Sequence, residues 1–307
     1  MRGMIRAAGL RIGWAELPAD VRGRVESLIG GQVLRADSQL GGFSPGTADR
    51  VVTSTGRRAF VKAVSVSLNE TSAAMARQEA RVTEQMPAGA PVPRLLEWFD
   101  DGEWVVLIVE DVAGRHPRTP WVDADIDAAV SALDQVAVAL RPAVMRTVPE
   151  VSGRLAAQFA GWSQIAADPM ADLDGWATAN VTDLVAAAHR GLEALRIGGT
   201  VAHCDIRADN LLVRPDGTVV VVDWPWASVA PAWLDTVLLA MDVVVHGGDG
   251  DRILRGVDLG NAVDVCAGFA GYLMHRSRQP SPGIPYVREF QRAQADRLLP
   301  WIKERMN

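Results

Sequence analysis

The amino-acid sequence predicts an α+β fold of two lobes: a small amino-terminal lobe built on an antiparallel sheet, and a larger, mostly helical lobe. Three observations predict it. Short β-branched runs separated by turn residues are concentrated before residue 112, Ala-rich helical segments fill residues 123–195, and an apolar hairpin follows within residues 201–223. We therefore expect a first lobe over residues 1–112 and a second over residues 113–307.

The first lobe begins with a helix and continues with strands and turns. Residues 18–29 carry apolar side chains at helical spacing, which predicts a short amphipathic helix. A glycine-rich loop at Gly41–Gly46 separates two predicted strands, and the turn at Thr55-Gly56 leads into a third strand over residues 58–64. A second helix is predicted over residues 70–86.

A hairpin completes the small lobe. Asp100-Asp101-Gly102 lies between Trp98 and the apolar run Trp104–Val109, a pattern typical of a tight turn between two strands. The larger lobe is expected to place helices on both sides of the 201–223 hairpin. The helices after the hairpin are predicted over residues 231–246, 258–275 and 286–305.

The composition is that of an ordinary globular protein, since 49% of the 307 residues are hydrophobic and 22% are charged. No apolar run reaches the roughly 18 residues of a membrane span, and the first ten residues lack the apolar core of a secretory signal. The two cysteines, Cys204 and Cys266, supply neither a disulfide framework nor a metal cluster. We expect a cytoplasmic protein without membrane association.

The net charge of −6 is unevenly distributed. Residues 1–114 carry 14 acidic and 13 basic side chains, whereas residues 123–264 carry 20 acidic and 9 basic ones. Such an acidic surface argues against nucleic acid as a partner. It would attract a cationic substrate, although aspartates that simply keep the protein in solution explain it equally well.

One loop and the hairpin after it carry the residues whose chemistry is most informative. Asp205 and Asn210 lie in the loop, and Asp223 lies at the end of the second hairpin strand. This arrangement brings two carboxylates and an amide oxygen to one end of the hairpin. Phosphoryl transfer from a nucleotide needs a base for a hydroxyl proton and oxygen ligands for Mg²⁺. Alone, Asp205 would be interpreted as a turn cap; with the other two in register, the catalytic interpretation is favoured.

The pattern His203-x-Asp205-x₄-Asn210, followed by Asp223-Trp224, resembles the catalytic and metal-binding segments of the aminoglycoside phosphotransferase family. That family shares the protein-kinase-like fold and includes choline-kinase-like relatives. Weaker matches extend the resemblance from about residue 38 to about residue 240. The resemblance implies a bilobal protein-kinase-like fold and a phosphotransferase with an alcohol group as acceptor.

The resemblance also assigns roles in this segment. Asp205 is the expected catalytic base, and Asn210 and Asp223 are the expected Mg²⁺ ligands. His203 is expected to support the loop by bonding backbone near Asp223. Asp235 matches a buried aspartate that holds the backbone of the catalytic loop in the family.

The segment departs from the family in two places. Cys204 stands where a glycine is usual, and Arg207 replaces a second histidine. Both changes leave the base and the metal ligands intact, but they weaken an assignment to one subfamily. The role of Asp209 stays open between metal access, substrate contact and solvation.

A lysine in the small lobe is the expected nucleotide contact. Lys62 lies in an apolar stretch and is one of two lysines among 31 basic residues, the other being Lys303. This favours a position that needs a compact ammonium, although a single lysine is also compatible with coincidence. The resemblance implies that Lys62 contacts the nucleotide phosphates and that a carboxylate holds it in place. Glu79 is the favoured partner, and Glu84 is the alternative.

Two further segments complete the expected nucleotide site. The glycine-rich loop, with Gly42 and Ser44, resembles the Gly-Gly-x-Ser loop of the antibiotic kinases and would cover the phosphates. Glu110 and Val112 lie where the family joins its lobes, and their backbone groups would bond the purine edge. An ordinary hairpin loop and an edge strand are compatible with these two segments as well.

These features predict a small-molecule O-phosphotransferase that moves the γ-phosphate of ATP or GTP, with Mg²⁺, to a hydroxyl of an antibiotic-like acceptor. An aminoglycoside or another natural product is the expected acceptor, and antibiotic resistance is the expected role. The alternatives are a kinase of an amino alcohol or sugar metabolite, and a catalytically silent kinase-like binding module. The protein is expected to be a monomer or a homodimer.

Overall fold

A five-stranded antiparallel sheet forms the amino-terminal lobe in the computed structural model, which describes residues 11–39, 45–141, 145, 148–282 and 286–306. The strands are β1 (Val33–Ser38), β2 (Thr47–Thr53), β3 (Arg58–Ser65), β4 (Leu95–Asp100) and β5 (Trp104–Val109). Their order across the sheet is β1-β2-β3-β5-β4. The predicted antiparallel sheet is confirmed, and β4 and β5 form the hairpin predicted around residues 100–102.

Two helices cover the sheet from opposite sides. Helix α1 (Ala19–Ile29) packs in one apolar cluster with Val61 of β3, and helix α2 (Glu70–Glu84) packs in another with Val64 of β3. Because side chains alternate along a strand, Lys62 points to the same side of the sheet as Val64, towards α2.

Helix α2 is fixed where its sequence predicts. Asn69 precedes it, and the Asn69 side chain accepts a hydrogen bond of 2.8 Å from the backbone N–H of Ser72, which caps the first turn. Ala73 and Ala80 lie fully buried under the sheet. Glu79, the neighbour of Ala80, is only 8% exposed, so its carboxylate is held at the edge of this apolar face.

Helices dominate the second lobe. They are α3 (Asp123–Ala139), α4 (Val151–Phe159), α5 (Gly161–Ala167), α6 (Gly175–Ala179), α7 (Val181–Ala194), α8 (Leu234–Val245), α9 (Leu259–Ser277) and α10 (Val287–Met306). Two small antiparallel ladders lie among them: β6 (Thr200–Ala202) pairs with β9 (Ser228–Ala230), and β7 (Leu211–Val213) pairs with β8 (Val219–Val221). The predicted mostly helical lobe is confirmed.

Helix α9 is the centre of this lobe because glycines allow other helices to approach it closely. A Cβ atom on Gly191 of α7 would lie 2.7 Å from the backbone of Asp264 in α9, and one on Gly161 of α5 would lie 2.3 Å from the carbonyl oxygen of Gly271. Any larger residue at Gly191 or Gly161 would force these backbones apart.

The segment between the lobes is held by ion pairs at both ends. Asp111 follows β5, and its carboxylate binds Arg50 of β2 and Arg58 of β3 at 2.6 and 2.7 Å. Farther along, the guanidinium of Arg115 makes two hydrogen bonds of 2.8 Å to the carboxylate of Asp125 in α3. None of the described helices is both long and apolar enough to cross a membrane.

Candidate active site

The loop between β6 and β7, residues 203–210, is held by a buried carboxylate of α8. The Asp235 carboxylate accepts the backbone N–H of His203 at 2.7 Å and that of Cys204 at 2.9 Å. Asp235 is 5% exposed, and burial raises the pKa of its carboxyl above the ordinary value. The contact expected between Asp235 and the loop backbone is therefore present.

His203 connects the loop to the strand that leads to Asp223. Its Nε2 atom lies 2.9 Å from the carbonyl oxygen of Val222 and must donate to it, because a carbonyl can only accept. Nδ1 is then free to accept the backbone N–H of Asp205 at 3.2 Å. The ring is fully buried and packs edge-on against Trp224. These contacts are the supporting ones that the sequence predicts for His203.

Asp205 and Asn210 are in direct contact. The Asn210 amide nitrogen donates to the Asp205 carbonyl oxygen at 2.7 Å and to its carboxylate at 3.2 Å. These bonds fix the orientation of the amide, since only the nitrogen can donate. The Asn210 amide oxygen is consequently directed away from Asp205.

Asp223 reaches the site from the end of β8. The backbone N–H of Val222 donates to the Asn210 carbonyl oxygen at 2.9 Å, so the strand end lies beside the loop. Asp223 adopts a φ of 70°, a left-handed conformation that few residues other than glycine occupy. Its side chain is 43% exposed and opens into the space between the lobes.

Lys62 joins the two lobes at this point. Its ammonium lies 2.7 Å from a Glu79 oxygen and 2.7 Å from Oδ1 of Asp223. Glu79 is therefore the partner of Lys62. Glu84, the alternative, instead lies 3.5 Å from the indole nitrogen of Trp98.

The electrostatics follow from burial and from these pairings. Burial acts to lower the pKa of Lys62. The negative charges of Asp223 and Glu79 act in the opposite direction and prevail, so the pKa of Lys62 is raised. Burial would raise the pKa of Asp223, yet the adjacent Lys62 charge prevails and lowers it below the ordinary value. Burial also raises the pKa of Asp205, and it outweighs the Arg207 charge, 3.6 Å from Oδ1, which acts to lower it.

A second ion pair lies beside Asp205. The Arg207 guanidinium donates to both oxygens of Asp209, at 3.0 and 3.2 Å, and another of its nitrogens lies 3.6 Å from Oδ1 of Asp205. The central carbon of the Arg207 guanidinium lies 5.9 Å from the centre of the Phe290 ring in α10. The sequence left the roles of both residues open; the structure places them beside Asp205.

Cys204, which stands where the family usually has glycine, adopts a backbone conformation that favours glycine. Cys204 has a φ of 65°, in the left-handed region that favours glycine. A cysteine is tolerated there because its backbone N–H is fixed by Asp235 and its neighbour His203 is buried. Cys204 is half-buried, and burial together with the nearby Asp235 carboxylate raises the pKa of its thiol well above the ordinary value, which disfavours the thiolate form.

Two predicted nucleotide contacts, Gly42 and Ser44, lie outside the described residues. The loop re-enters the described structure at Pro45 and Gly46, where a Cβ atom on Gly46 would lie 2.1 Å from the carbonyl oxygen of Ala63. Only glycine permits this approach, so the loop returns directly onto β3.

Glu110 and Val112 lie immediately after β5, on the segment that joins the lobes. The Glu110 backbone N–H donates to the carbonyl oxygen of Arg94 at 2.9 Å, which leaves the Glu110 carbonyl as the group available to a purine. Val112 is 7% exposed, and no described residue takes its backbone N–H. Their purine contacts stay a prediction.

The side chains at Asn210 and Asp223 fit a hard cation. Lys62 takes Oδ1 of Asp223, and no described residue hydrogen-bonds Oδ2; the Asn210 amide oxygen is turned outward by the bonds of its nitrogen. Among the described residues, no three His, Cys, Asp or Glu side chains are arranged as a metal site. A cation with only two protein ligands, completed by phosphate and water, is characteristic of Mg²⁺.

Tryptophans are numerous, but they are not all available to a ligand. Trp121 and Trp162 are 8% and 0% exposed and fill the core, whereas three others, Trp176, Trp226 and Trp233, are partly exposed. Trp226 lies near the loop, with the Arg154 guanidinium 5.0 Å from the centre of its ring. Only partly exposed tryptophans of this kind can contribute to an acceptor pocket.

A two-lobed fold whose cleft holds a lysine–glutamate pair opposite an Asp–Asn–Asp set defines a kinase-like phosphotransferase. The family model described as phosphotransferase enzyme family, APH, matches residues 41–272, and the chain belongs to that family. The family identified from the sequence is thereby confirmed. No protein of curated function matches the sequence.

Solved structures show the same fold. An aminoglycoside phosphotransferase from Alicyclobacillus acidocaldarius is 17% identical, with 94% of this chain and 95% of that chain covered and a TM-score of 0.58. Choline kinase LicA from Streptococcus pneumoniae is 12% identical, with 92% and 98% covered and a TM-score of 0.62. A thermostable mutant of aminoglycoside phosphotransferase APH(4)-Ia, in a ternary complex with ADP and hygromycin B, is 13% identical, with 93% and 98% covered and a TM-score of 0.60.

Proposed function

We propose that this phosphotransferase transfers the γ-phosphoryl group of ATP or GTP to a hydroxyl of a small antibiotic-like molecule, an aminoglycoside or another natural product. The observation that carries the proposal is the contact of Lys62 with both Glu79 and Asp223 at 2.7 Å, opposite an Asp205 that touches Asn210. This arrangement supports Lys62 as the cation that binds phosphate, Asn210 and Asp223 as the oxygen ligands, and Asp205 as the base of one cleft.

Each residue has a distinct part in the transfer. Asp205 accepts a hydrogen bond from the acceptor hydroxyl and orients its oxygen towards the γ-phosphorus. As the new O–P bond forms and the bond to the nucleoside diphosphate breaks, the hydroxyl proton passes to Asp205. Because its pKa is raised by burial, Asp205 is a better proton acceptor than an exposed aspartate. Lys62 binds the phosphates of the nucleotide and is kept in place by Glu79.

Asn210 and Asp223 would hold Mg²⁺ with the phosphate oxygens. When bound, Mg²⁺ neutralises the charge of the phosphates and of the leaving diphosphate. From the Lys62–Asp223 pair we infer how the nucleotide would enter. Lys62 would exchange the Asp223 carboxylate for phosphate while Glu79 still holds it, and Asp223 would supply an oxygen to the cation, so the charges of the site would stay balanced.

The nucleotide part of the proposal is supported by the small lobe. The mutant phosphotransferase that shares this fold contains ADP. Here, the lobe over residues 1–112 would bind the nucleotide, with Glu110 and Val112 on its purine and the loop of Gly42 and Ser44 over its phosphates. The lobe over residues 113–307 would bind Mg²⁺ and the acceptor.

Family membership and the acidic second lobe support an antibiotic acceptor. Of residues 123–264, 20 are acidic and 9 are basic, which favours a cationic molecule such as an aminoglycoside. The corresponding biological role is antibiotic resistance. The protein would act in the cytoplasm, as a monomer or a homodimer. An amino alcohol or sugar metabolite would use the same chemistry, as the choline kinase of the same fold illustrates.

A panel of acceptors tests the proposal directly. Purified protein is incubated with Mg²⁺ and either ATP or GTP, together with aminoglycosides, other hydroxyl-bearing antibiotics, amino alcohols and sugars. Release of nucleoside diphosphate is measured alongside the mass of each acceptor, and Asp205→Asn serves as the matched inactive variant. A mass gain of one phosphate on an antibiotic supports the proposal. A gain only on an amino alcohol or sugar would show that the acceptor is a metabolite and not an antibiotic. Nucleotide binding without any transfer would identify a silent binding module.

A further inference from the structure

Helix α8 carries a second buried carboxylate seven residues after Asp235. Since 3.6 residues make one turn, Asp242 lies two turns along the same face of the helix. It is 3% exposed. Its Oδ2 atom accepts the backbone N–H of Ala208 at 3.2 Å and the indole N–H of Trp121 at 2.9 Å. Asp235 therefore binds the backbone of the loop on the amino-terminal side of Asp205, and Asp242 binds it on the carboxy-terminal side.

The amide that Asp242 takes has no partner within its own turn. Ala208 is the first residue of a short 3₁₀ turn, Ala208–Asn210, and the first N–H groups of a helical turn lack partners inside it. Leaving such an N–H unpaired in a largely buried loop is unfavourable, because the group loses its bond to water without gaining another. A carboxylate supplied from another helix removes that cost and fixes the point at which the turn begins.

The last residue of this turn is Asn210. Its backbone N–H donates to the carbonyl oxygen of Arg207 at 3.0 Å, so the position of Asn210 depends on where the turn starts. Its side chain then bonds Asp205. Movement of Ala208 would displace both the expected cation ligand and the base that it touches.

We propose that Asp242 is a second positioning residue of the phosphoryl-transfer site. By accepting the Ala208 amide, it holds the turn that presents Asn210, just as Asp235 holds the residues before Asp205. Asp242 touches neither nucleotide nor acceptor and acts only through the loop backbone. The role in transfer rests on the proposed function, whereas the hold on the backbone does not.

Three variants separate this role from simple core packing. Asp242→Asn can place its amide oxygen where Oδ2 lies and keep both N–H donors. Asp242→Ala removes the acceptor. Trp121→Phe removes only the indole donor and leaves the bond to Ala208, so it is the matched control for the buried contact. Asp242→Ser, whose hydroxyl is too short to reach Ala208 but stays polar, replaces Asp242→Ala if that variant does not fold.

Hydrogen–deuterium exchange is measured first, because it needs no turnover. In Asp242→Ala or Asp242→Ser, amides of residues 206–212 should exchange faster than in the wild type, while those within α8 stay protected. Asp242→Asn and Trp121→Phe should leave this segment protected. Unchanged exchange of residues 206–212 in the truncated variants would overturn the proposal, and so would loss of the whole fold in Asp242→Asn.

Kinetics then test the consequence for transfer. Asp242→Ala or Asp242→Ser should lower kcat by about tenfold to a hundredfold, as small misplacements of reacting groups do. The Mg²⁺ concentration for half-maximal activity should rise, the nucleotide KM should stay near wild type, and Asp242→Asn should recover most of the loss. Normal kcat and Mg²⁺ dependence in a variant with a mobile loop would contradict the positioning role. A wild type without any transfer would instead refute the proposed function, with the exchange result still standing.

Discussion

Lys62 of the small lobe and Asp223 of the large lobe are joined by a salt bridge of 2.7 Å, although 161 positions separate them in the sequence. Glu79 binds the same ammonium at 2.7 Å. A lysine bound by two carboxylates stays bound to one of them when the other binds a new partner. Since a guanidinium is wider and binds as a planar fork, it cannot take the place of a compact ammonium here.

Replacement of Lys62 by arginine should therefore impair nucleotide use although charge is kept. We expect kcat/KM for the nucleotide to fall by about a hundredfold or more, as loss of one aligned electrostatic contact does, with the melting temperature little changed. The other lysine, Lys303, is exposed on α10, and Lys303→Arg is the matched control. Equal kinetics for the two variants would make Lys62 incidental.

Asp205→Asn tests the base. It preserves size and the polar contact with Asn210 but cannot accept the hydroxyl proton. Turnover should fall by roughly a thousandfold, while nucleotide affinity, measured by calorimetry, stays near that of the wild type. Asp216→Asn, at an exposed turn of the following hairpin, is the control for charge loss in the same region. Near-normal turnover of Asp205→Asn would exclude Asp205 as the base.

Asp223→Ala should remove Mg²⁺-dependent turnover without unfolding the protein, because the side chain is 43% exposed. The variant also frees Lys62 from one carboxylate, so Mg²⁺-free nucleotide should bind at least as well as before. Titration with Mg²⁺ at fixed nucleotide checks the first expectation, and fluorescence or calorimetric titration without Mg²⁺ checks the second. Mg²⁺-activated turnover that survives in the variant would place the cation elsewhere.

Much of this fold could be predicted from local pattern. The hairpin at residues 100–102 and the amphipathic helix α1 each depend on residues close in sequence, so turn chemistry and periodicity identify them. The strand β9 was not predicted. It has three residues and forms only by pairing with β6, 26 or more positions earlier in the chain, which no local pattern reveals.

The candidate site divides in the same way. Asp205 and Asn210 belong to one loop, and their spacing alone placed them together. The choice of Glu79 over Glu84 depended on which face of α2 meets β3, which tertiary packing decides. Asp242 taken by itself gave no signal, since a lone aspartate in an apolar helix does not reveal the amide that it binds. Its spacing of seven from Asp235 is the one clue that the sequence contained.

Cys204 provides a test of backbone strain. Its φ of 65° costs a residue with a Cβ atom about 1 kcal/mol relative to glycine. Cys204→Gly should therefore keep the fold. The relief of backbone strain should raise the free energy of unfolding, and the lost contacts of the thiol should offset part of that gain, so the variant should be at least as stable as the wild type. Cys204→Val should destabilise by about 2 kcal/mol or more, because a β-branched residue is strongly disfavoured at positive φ. Urea unfolding of both variants measures the difference; equal stability would show that the backbone relaxes.

His246 makes the stability of α8 depend on pH. Its Nδ1 atom lies 2.8 Å from the carbonyl oxygen of Asp242 and 3.4 Å from Oδ2 of the same residue. Burial lowers the pKa of His246, but the Asp242 carboxylate and carbonyl outweigh it and raise the pKa above the ordinary 6.5. Protonated His246 is thus favoured more in the folded state than in the unfolded one.

The sign of the effect follows from linkage. A raised pKa means that the stabilising contribution is complete below about pH 6.5 and is lost as the pH rises through the higher pKa of the folded state. His246→Gln can still donate towards Asp242 but cannot be protonated. The free energy of unfolding of the wild type should therefore decline more between pH 6 and pH 9 than that of His246→Gln. His275, whose pKa burial lowers, is present in both proteins, so its opposite contribution cancels in the comparison. Parallel stability curves for the two proteins would show that His246 is not protonated preferentially in the folded state.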